Sequence, residues 1–189
     1  MAKHRRCLLV AAGLAYYASA VAQSISIGSL GTSSGFFGLG PITIIDLSFP
    51  ATGDGVLTSA TFRWSAAPCP AAAKIKIFTR YGLPLIYGYQ MVLDEERGPF
   101  DVLQTTQTVD LTPPIAVRKG DLIAVTGLSG CGGPLGNPSG VSFALNGDAG
   151  SFSCDIRFAN SCPFATGYPA VQAVGGRPER VPRVVPFRK

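Results

Sequence analysis

Short segments in which apolar and polar residues alternate recur along this chain. In residues 56–64, 74–81 and 141–145, side chains of one kind return at every second position. This period of two is typical of a β-strand, because successive side chains of a strand point to opposite faces of the sheet. Gly, Pro, Asn and Asp separate the segments, and no convincing amphipathic-helix pattern follows residue 22. The pattern therefore predicts an all-β domain.

The number and spacing of these segments predict the architecture. Eight or nine short strands with turn residues between them favour an antiparallel β-sandwich. A jelly roll is the preferred topology, and an immunoglobulin-like sandwich is the alternative. Asn146-Gly147 predicts a hairpin in which residues 151–158 pair with residues 141–145. Pro113-Pro114 is expected to end the strand over residues 105–111, because proline cannot donate to a strand ladder.

The first residues have the three parts of a secretory signal. Lys3 to Arg6 are basic, Leu8 to Ala15 are apolar, and Ala20-Val21-Ala22 places small side chains where a signal peptidase requires them. We therefore expect a signal-peptide helix that is cleaved after Ala22, and a secreted or periplasmic product. The apolar run is too short for a stable membrane span, which takes about 20 residues.

Cleavage at this point divides the chain into three parts. Residues 1–22 are the signal peptide, residues 23–176 are a single β-sandwich domain, and residues 177–189 are a basic, proline-containing tail that is expected to be disordered. The formal net charge of the full chain is +5, of which the signal carries +3 and the tail +4, so the domain carries −2. A basic face for nucleic acid is therefore not expected on the domain.

Four cysteines follow the predicted cleavage site, and an even number in an exported chain indicates two disulfides. Three pairings are formally open. We predict Cys154–Cys162, which closes a short loop, and Cys69–Cys131, which joins the turn around residue 69 to a glycine-rich loop. The clustered Cys and His spacing of a metal site is missing, so no metal is expected.

The sole histidine of the sequence, His4, lies in the predicted signal. A mature chain without histidine has no Ser-His-Asp or Cys-His nucleophilic site and no His-ligated metal. The glycine-rich segments 28–40 and 127–136 lack the Lys-Ser/Thr of a phosphate-binding loop, so no cofactor is predicted. Asp94, Glu95 and Glu96 are consecutive and are interpreted as a solvated turn rather than as the opposed carboxylates of a glycosidase.

A tyrosine-rich bend is the best candidate for binding. Arg80, Tyr81, Tyr87 and Tyr89 flank the bend at Gly82-Leu83-Pro84. Tyrosine rings stack on sugars and anchor protein interfaces, although they also fill cross-strand positions. Trp64 shares its alternation phase with Phe62, so it is predicted to lie in the core.

Three stretches carry a resemblance. They are Pro114 to Val125, an apolar strand followed by a Lys-Gly-Asp turn and a second apolar strand, together with Phe62-Arg63-Trp64 and Gly98-Pro99-Phe100. In these stretches the chain resembles uncharacterised secreted bacterial proteins of the jelly-roll or β-sandwich type. The resemblance implies a fold and an exported location, and it carries no catalytic or binding residues.

Three functions agree with these observations. The first is an exported, non-catalytic module that binds a glycan or a cell-surface partner. The second is a structural component of the envelope or of an extracellular matrix. The third is a histidine-free, glycoside-active enzyme, which would require two carboxylates facing each other across a cleft. We rank them in this order.

Overall fold

A computed structural model describes residues 24–32, 35–37, 40–80, 88–155 and 162–177. These residues form strands and no helix, which confirms the all-β prediction. Twelve strands are present in the described ranges, which is more than the eight or nine predicted. They are β1 (Ser24–Ser29), β2 (Gly35–Phe36), β3 (Ile42–Asp46), β4 (Gly55–Arg63), β5 (Cys69–Arg80), β6 (Gly88–Val102), β7 (Thr106–Val117), β8 (Leu122–Gly127), β9 (Leu135–Asn146), β10 (Ser151–Asp155), β11 (Phe164–Pro169) and β12 (Val171–Gly176).

The strands form two antiparallel sheets. The smaller sheet has the strand order β1-β12-β4-β7. The larger has the order β10-β6-β5-β8-β3-β9-β11, and β2 pairs with β9 beside this path. Two antiparallel sheets that share a core are the architecture of a β-sandwich. The predicted signal peptide and all but the first residue of the predicted tail lie outside the described residues.

The main core lies between the two sheets. Phe62 and Leu57 come from the smaller sheet, Ile75 and Ile77 come from the larger, and all four are buried. Trp64 is also fully buried in this core, as predicted, and its ring contacts Phe62 edge to face. Burial of such side chains stabilises a fold by about 1.5–3 kcal/mol each. Alternation along β4 and β5 thus places one face of each strand in the core that holds the two sheets together.

The larger sheet also buries its opposite face. Phe78 and Leu122 alternate along their strands with members of the main core, and they belong to a second apolar cluster with Phe143. Phe143 on β9 and Phe152 on β10 lie five strands apart, which is roughly 24 Å in a flat sheet. Their ring centroids are 4.7 Å apart. The sheet therefore curls until its two ends meet around the second cluster.

One predicted strand pairing and one predicted strand end are wrong. The strand after Asn146-Gly147 does not fold back on β9, because β10 pairs with β6 at the other end of the sheet. The intervening loop crosses the curled sheet instead of forming a two-residue turn. Pro113-Pro114 does not end a strand, since β7 continues through both prolines. β7 is an edge strand of the smaller sheet, and a missing N–H donor is tolerated at an edge.

The alternation in β4 is interrupted by a register shift. Strict alternation over residues 56–64 predicts residues 56 and 58 on the same face as Phe62, but Leu57 is the buried residue at that end of the strand. The pairing of β4 with β7 shifts between Leu57 and Ser59, and that with β12 shifts between Val174 and Gly175. A side chain on Gly175 would overlap the Val56 carbonyl oxygen, so only glycine fits this close approach.

Within the described ranges, no helical segment has the length and hydropathy that a membrane crossing requires.

Candidate functional site

The structure describes two of the four residues predicted to bind. Arg80 is the last residue of β5 and is exposed. Tyr89 is the second residue of β6 and is partly buried. Tyr81 and Tyr87 lie outside the described residues, so their part in the predicted site stays a prediction. The described part of the site thus consists of the two strand ends from which the bend leaves the sheet.

Tyr89 belongs to a cluster of four aromatic rings, which we call the aromatic patch. Its ring centroid lies 5.1 Å from that of Phe143 and 5.8 Å from that of Phe164, both edge to face. Phe143 also contacts Phe152 and Phe164, with centroids at 4.7 and 4.8 Å. Aromatic pairs at such distances contribute about 0.5–1.5 kcal/mol beyond their area burial. The four rings therefore form one packed unit.

The aromatic patch extends from the interior of the domain to its surface. Phe143 is fully buried in the second apolar cluster, whereas Phe164 on edge strand β11 is 49% exposed. Val141, two residues before Phe143 on β9, is 45% exposed. One ring thus anchors the cluster, and another is half exposed to solvent.

A disulfide fixes the strands that carry the aromatic patch. Cys154 on β10 lies opposite Tyr89 in the strand register, and Cys162 precedes Phe164 by two residues. The bond between them therefore joins β10 to the beginning of β11, which lie at opposite ends of the strand order. This is the predicted pairing, as is Cys69–Cys131, so both predicted disulfides are confirmed.

Sequence reasoning missed three rings of the aromatic patch. The alternation pattern predicts Phe143 in a strand and Phe152 in its hairpin partner, but it connects neither ring with Tyr89. The signal that points to the cluster is the predicted Cys154–Cys162 bond, because it brings the flanking aromatic residues close together. The partner of Tyr89 could not be deduced without the strand order.

A cluster of polar side chains lies on the concave side of the larger sheet, at a distance from the aromatic patch. Lys74 donates to Asp148 at 2.7 Å and to Glu96 at 3.2 Å. Lys76, whose side chain is 1% exposed, pairs with Asp148 and donates to the Ala149 carbonyl at 2.7 Å. Because Asp148 and Ala149 belong to the loop between β9 and β10, the lysines hold this loop against β5.

Protonation equilibria support a structural role for this cluster. Burial alone would raise the pKa of Asp148, but hydrogen bonds from Lys74 and Lys76 outweigh it and lower the pKa. The hydrogen bond to Asp148 in turn raises the pKa of Lys74. Both groups therefore stay charged near neutral pH. Thr43 completes the support by donating to the Gly147 carbonyl and accepting from the Ala149 N–H.

The acidic run of β6 is engaged in ion pairs. Glu95, Glu96 and Asp94 lie within a continuous strand, so their interpretation as a turn is wrong. Glu95 pairs with Arg97 at 2.8 Å, and Glu96 pairs with Lys74. Among the described residues, no group of three or more His, Cys, Asp or Glu could hold a metal ion.

Asp46 is a buried carboxyl group at the end of β3. Its Oδ1 accepts the N–H groups of Ser48 at 2.7 Å and Phe49 at 3.3 Å, while Oδ2 has no hydrogen-bond partner. Burial raises the pKa of Asp46 to about 6, and the two backbone donors offset part of that effect. Ser142, directly across on β9, has a buried hydroxyl that is also without a partner. The charge on this buried pair of side chains therefore depends on pH.

Comparison with known proteins does not identify a family or a function for this chain. No protein-family model, curated protein or solved structure matches the chain. Its function therefore has to be argued from the contacts described above.

Proposed function

We propose that the chain is an exported, non-catalytic module that binds a glycan through the aromatic patch. The observation that carries this proposal is the exposure of Phe164 within a cluster of four rings. An exposed ring held by buried neighbours is already in its bound conformation, so a ligand loses little affinity in ordering it. The rigid sandwich behind the patch supplies the scaffold on which binding residues are usually found.

The chemistry of the aromatic patch suits a sugar. The apolar face of Phe164 offers a stacking surface for the C–H face of a pyranose ring, and the Tyr89 hydroxyl offers a polar contact beside it. Arg80, exposed at the end of β5, provides a guanidinium that donates hydrogen bonds to hydroxyl or carboxylate oxygens. Tyr81 and Tyr87 stay predicted members of the site.

We assign the scaffold to the jelly-roll class, as the sequence resemblance implies. The strand order supports this assignment. Four strands form the smaller sheet, β1-β12-β4-β7, and four consecutive members of the larger sheet have the order β3-β8-β5-β6. Successive strands of this set alternate between the sheets, except at the β5–β6 connection, which is the chain path of two Greek keys. β9, β10 and β11 are then an insertion between the last two strands, and this insertion carries three of the four rings.

Export of the chain rests on the basic, apolar and small-residue order before Ala22 and on the disulfides. Cys69–Cys131 and Cys154–Cys162 are both formed, and disulfides persist in oxidising compartments outside the cytosol. We therefore propose a secreted or periplasmic location with cleavage after Ala22. The non-catalytic assignment rests on the missing histidine of the mature chain and on the pairing of Glu95 and Glu96 with basic side chains.

Binding to a glycan array, followed by titration of the best-bound oligosaccharide, tests the proposal. Phe164→Ala and Phe164→Leu should each weaken binding by at least tenfold, because leucine keeps the apolar volume but lacks the ring face. Leu103→Ala is the matched control, since Leu103 is 68% exposed and lies between β6 and β7. It should bind like the wild type, and melting curves should establish that all three variants are folded.

Each result of this experiment bears on one function. A folded Phe164→Leu variant that binds the oligosaccharide as tightly as the wild type would eliminate the aromatic patch as the site. A wild type that binds no glycan, but co-sediments with isolated envelopes, would favour the structural role. Release of reducing sugar by the wild type would contradict the non-catalytic assignment and favour the glycoside-active alternative.

A further inference from the structure

A polar cleft lies at the end of the smaller sheet where the described chain begins and ends. Its volume is about 280 Å³. The beginning of β1, the residue after β12 and the loop before β4 enclose it, because Ser24 pairs with Gly176 and Gly176 pairs with Val56. The residues that line the cleft are Ser24, Ile25, Ser26, Thr52, Gly53 and Arg177.

The polar groups of this cleft are mainly hydrogen-bond donors. The Ser26 N–H donates to Thr52 Oγ1 at 3.1 Å, which leaves the Thr52 hydroxyl proton free to point into the cleft. The Thr52 N–H is satisfied by the Ser26 carbonyl at 3.0 Å. Within the described ranges, the Arg177 guanidinium has no carboxylate partner and the Ser24 hydroxyl has no hydrogen-bond partner.

The surroundings of the cleft are basic. Strand register pairs Gly55 with Val117 and Val56 with Gly176, so the backbones of Arg118 and Arg177, the next residues along these strands, lie about two strand spacings or roughly 10 Å apart. Lys119 follows Arg118, and its N–H donates at 2.7 Å to the nearby carboxylate of Asp54. Arg118, Lys119 and Arg177 therefore outnumber the neighbouring carboxylates of Asp54 and Asp121 at this end of the smaller sheet, although the domain as a whole is acidic.

We infer that this cleft binds an oxyanion, namely a phosphate, sulfate or carboxylate group of a small ligand. A guanidinium presents two parallel N–H donors that match two oxygens of such a group, and hydroxyl donors beside it complete the coordination. The guanidinium lies beside Gly53, since a Cβ at this position would be in van der Waals contact with Arg177 Nη2 at 3.7 Å. This inference is independent of the aromatic patch.

Titration of the exported full chain with inorganic phosphate, sulfate and glucuronate at low ionic strength tests the inference, with calorimetry as the readout. The three anions identify the oxyanion class that the cleft prefers. Arg177→Ala should weaken binding of the preferred anion by at least tenfold. Arg188→Ala is the matched control, because it removes the same charge from the tail. Its affinity should stay within twofold of the wild type.

A second variant closes the cleft without removing a cation. Gly53→Asp places a carboxylate beside Arg177, so the internal ion pair should abolish anion binding while the melting temperature stays near that of Gly53→Ala. Failure of the wild type to bind any of the three anions at 10 mM or below would overturn the inference. Equal losses in Arg177→Ala and Arg188→Ala would also overturn it, since they would show nonspecific attraction to charge. Neither result depends on glycan binding at Phe164.

Discussion

Replacing Asp46 by asparagine should remove a pH-dependent loss of stability. The carboxyl group lies at the end of β3, where Oδ1 accepts two backbone N–H groups and Oδ2 faces no partner. Burial raises its pKa from 3.8 to about 6. Asparagine keeps the acceptor oxygen for Ser48 and Phe49, and it places an N–H donor on the side chain that lies opposite Ser142 on β9.

The size and direction of the effect follow from the two pKa values. Between pH 3.8 and about 6 the folded protein retains a proton on Asp46 that the unfolded chain releases. The free energy of unfolding therefore falls as pH rises through this window, and the penalty is complete above the folded pKa. A difference of about 2 between the pKa values corresponds to ~3 kcal/mol. Below the unfolded pKa the neutral carboxyl group incurs no such penalty.

Urea unfolding of wild type and Asp46→Asn at pH 4, 5, 6, 7 and 8 measures this effect. The variant should be more stable than the wild type by ~3 kcal/mol at pH 8, and the difference should shrink below ~1 kcal/mol at pH 4. The difference in the free energy of unfolding between the two proteins cancels the contribution of all other carboxyl groups. Asp110→Asn is the control for the loss of one negative charge, because Asp110 is exposed on β7.

A stability difference that is the same at pH 4 and pH 8 would refute this reasoning. It would mean that Asp46 ionises in the fold with its ordinary pKa, for example because a bound water satisfies Oδ2. A variant less stable than the wild type at pH 8 would show that the charged carboxylate gains more from the two backbone donors than burial costs it.

Three further predictions concern the loop, the disulfide and the mature chain. Asp148→Ala should cost ~1–3 kcal/mol in urea unfolding, because it removes the closer carboxylate of the buried Lys76 and leaves Glu96 at 3.6 Å. Lys76→Met should cost less than Asp148→Ala, because it leaves no buried charge, and similar losses in both would contradict this asymmetry. Replacing Cys154 and Cys162 by alanine should lower the free energy of unfolding by roughly 2–3 kcal/mol, and an unchanged value would show that the rings alone hold β11. Intact mass of exported protein should match a chain that begins at Gln23, and retention of His4 would disprove cleavage.

Local information in the sequence determined the class of fold and much of the core. Alternation over residues 74–81 predicted that Ile75 and Ile77 share a face, and both lie between the sheets. The phase of Trp64 predicted its burial. The pairing of the four cysteines also followed from spacing and turns. These features depend on neighbours in the chain, because strand periodicity and short loop closure are properties of single segments.

Only the tertiary structure decided which strands are neighbours. Lys76 and Phe78 alternate with core residues, yet they are buried as well, because the larger sheet curls and β10 crosses to β6. The same crossing brings Tyr89 into contact with Phe143 and Phe164. Each of these two residues is more than 50 positions from Tyr89 in the sequence. A turn signal such as Asn146-Gly147 specifies a change of direction but not the strand that is reached. That choice depends on long-range packing and on the ion pairs of Asp148, so it could not be predicted from the local pattern.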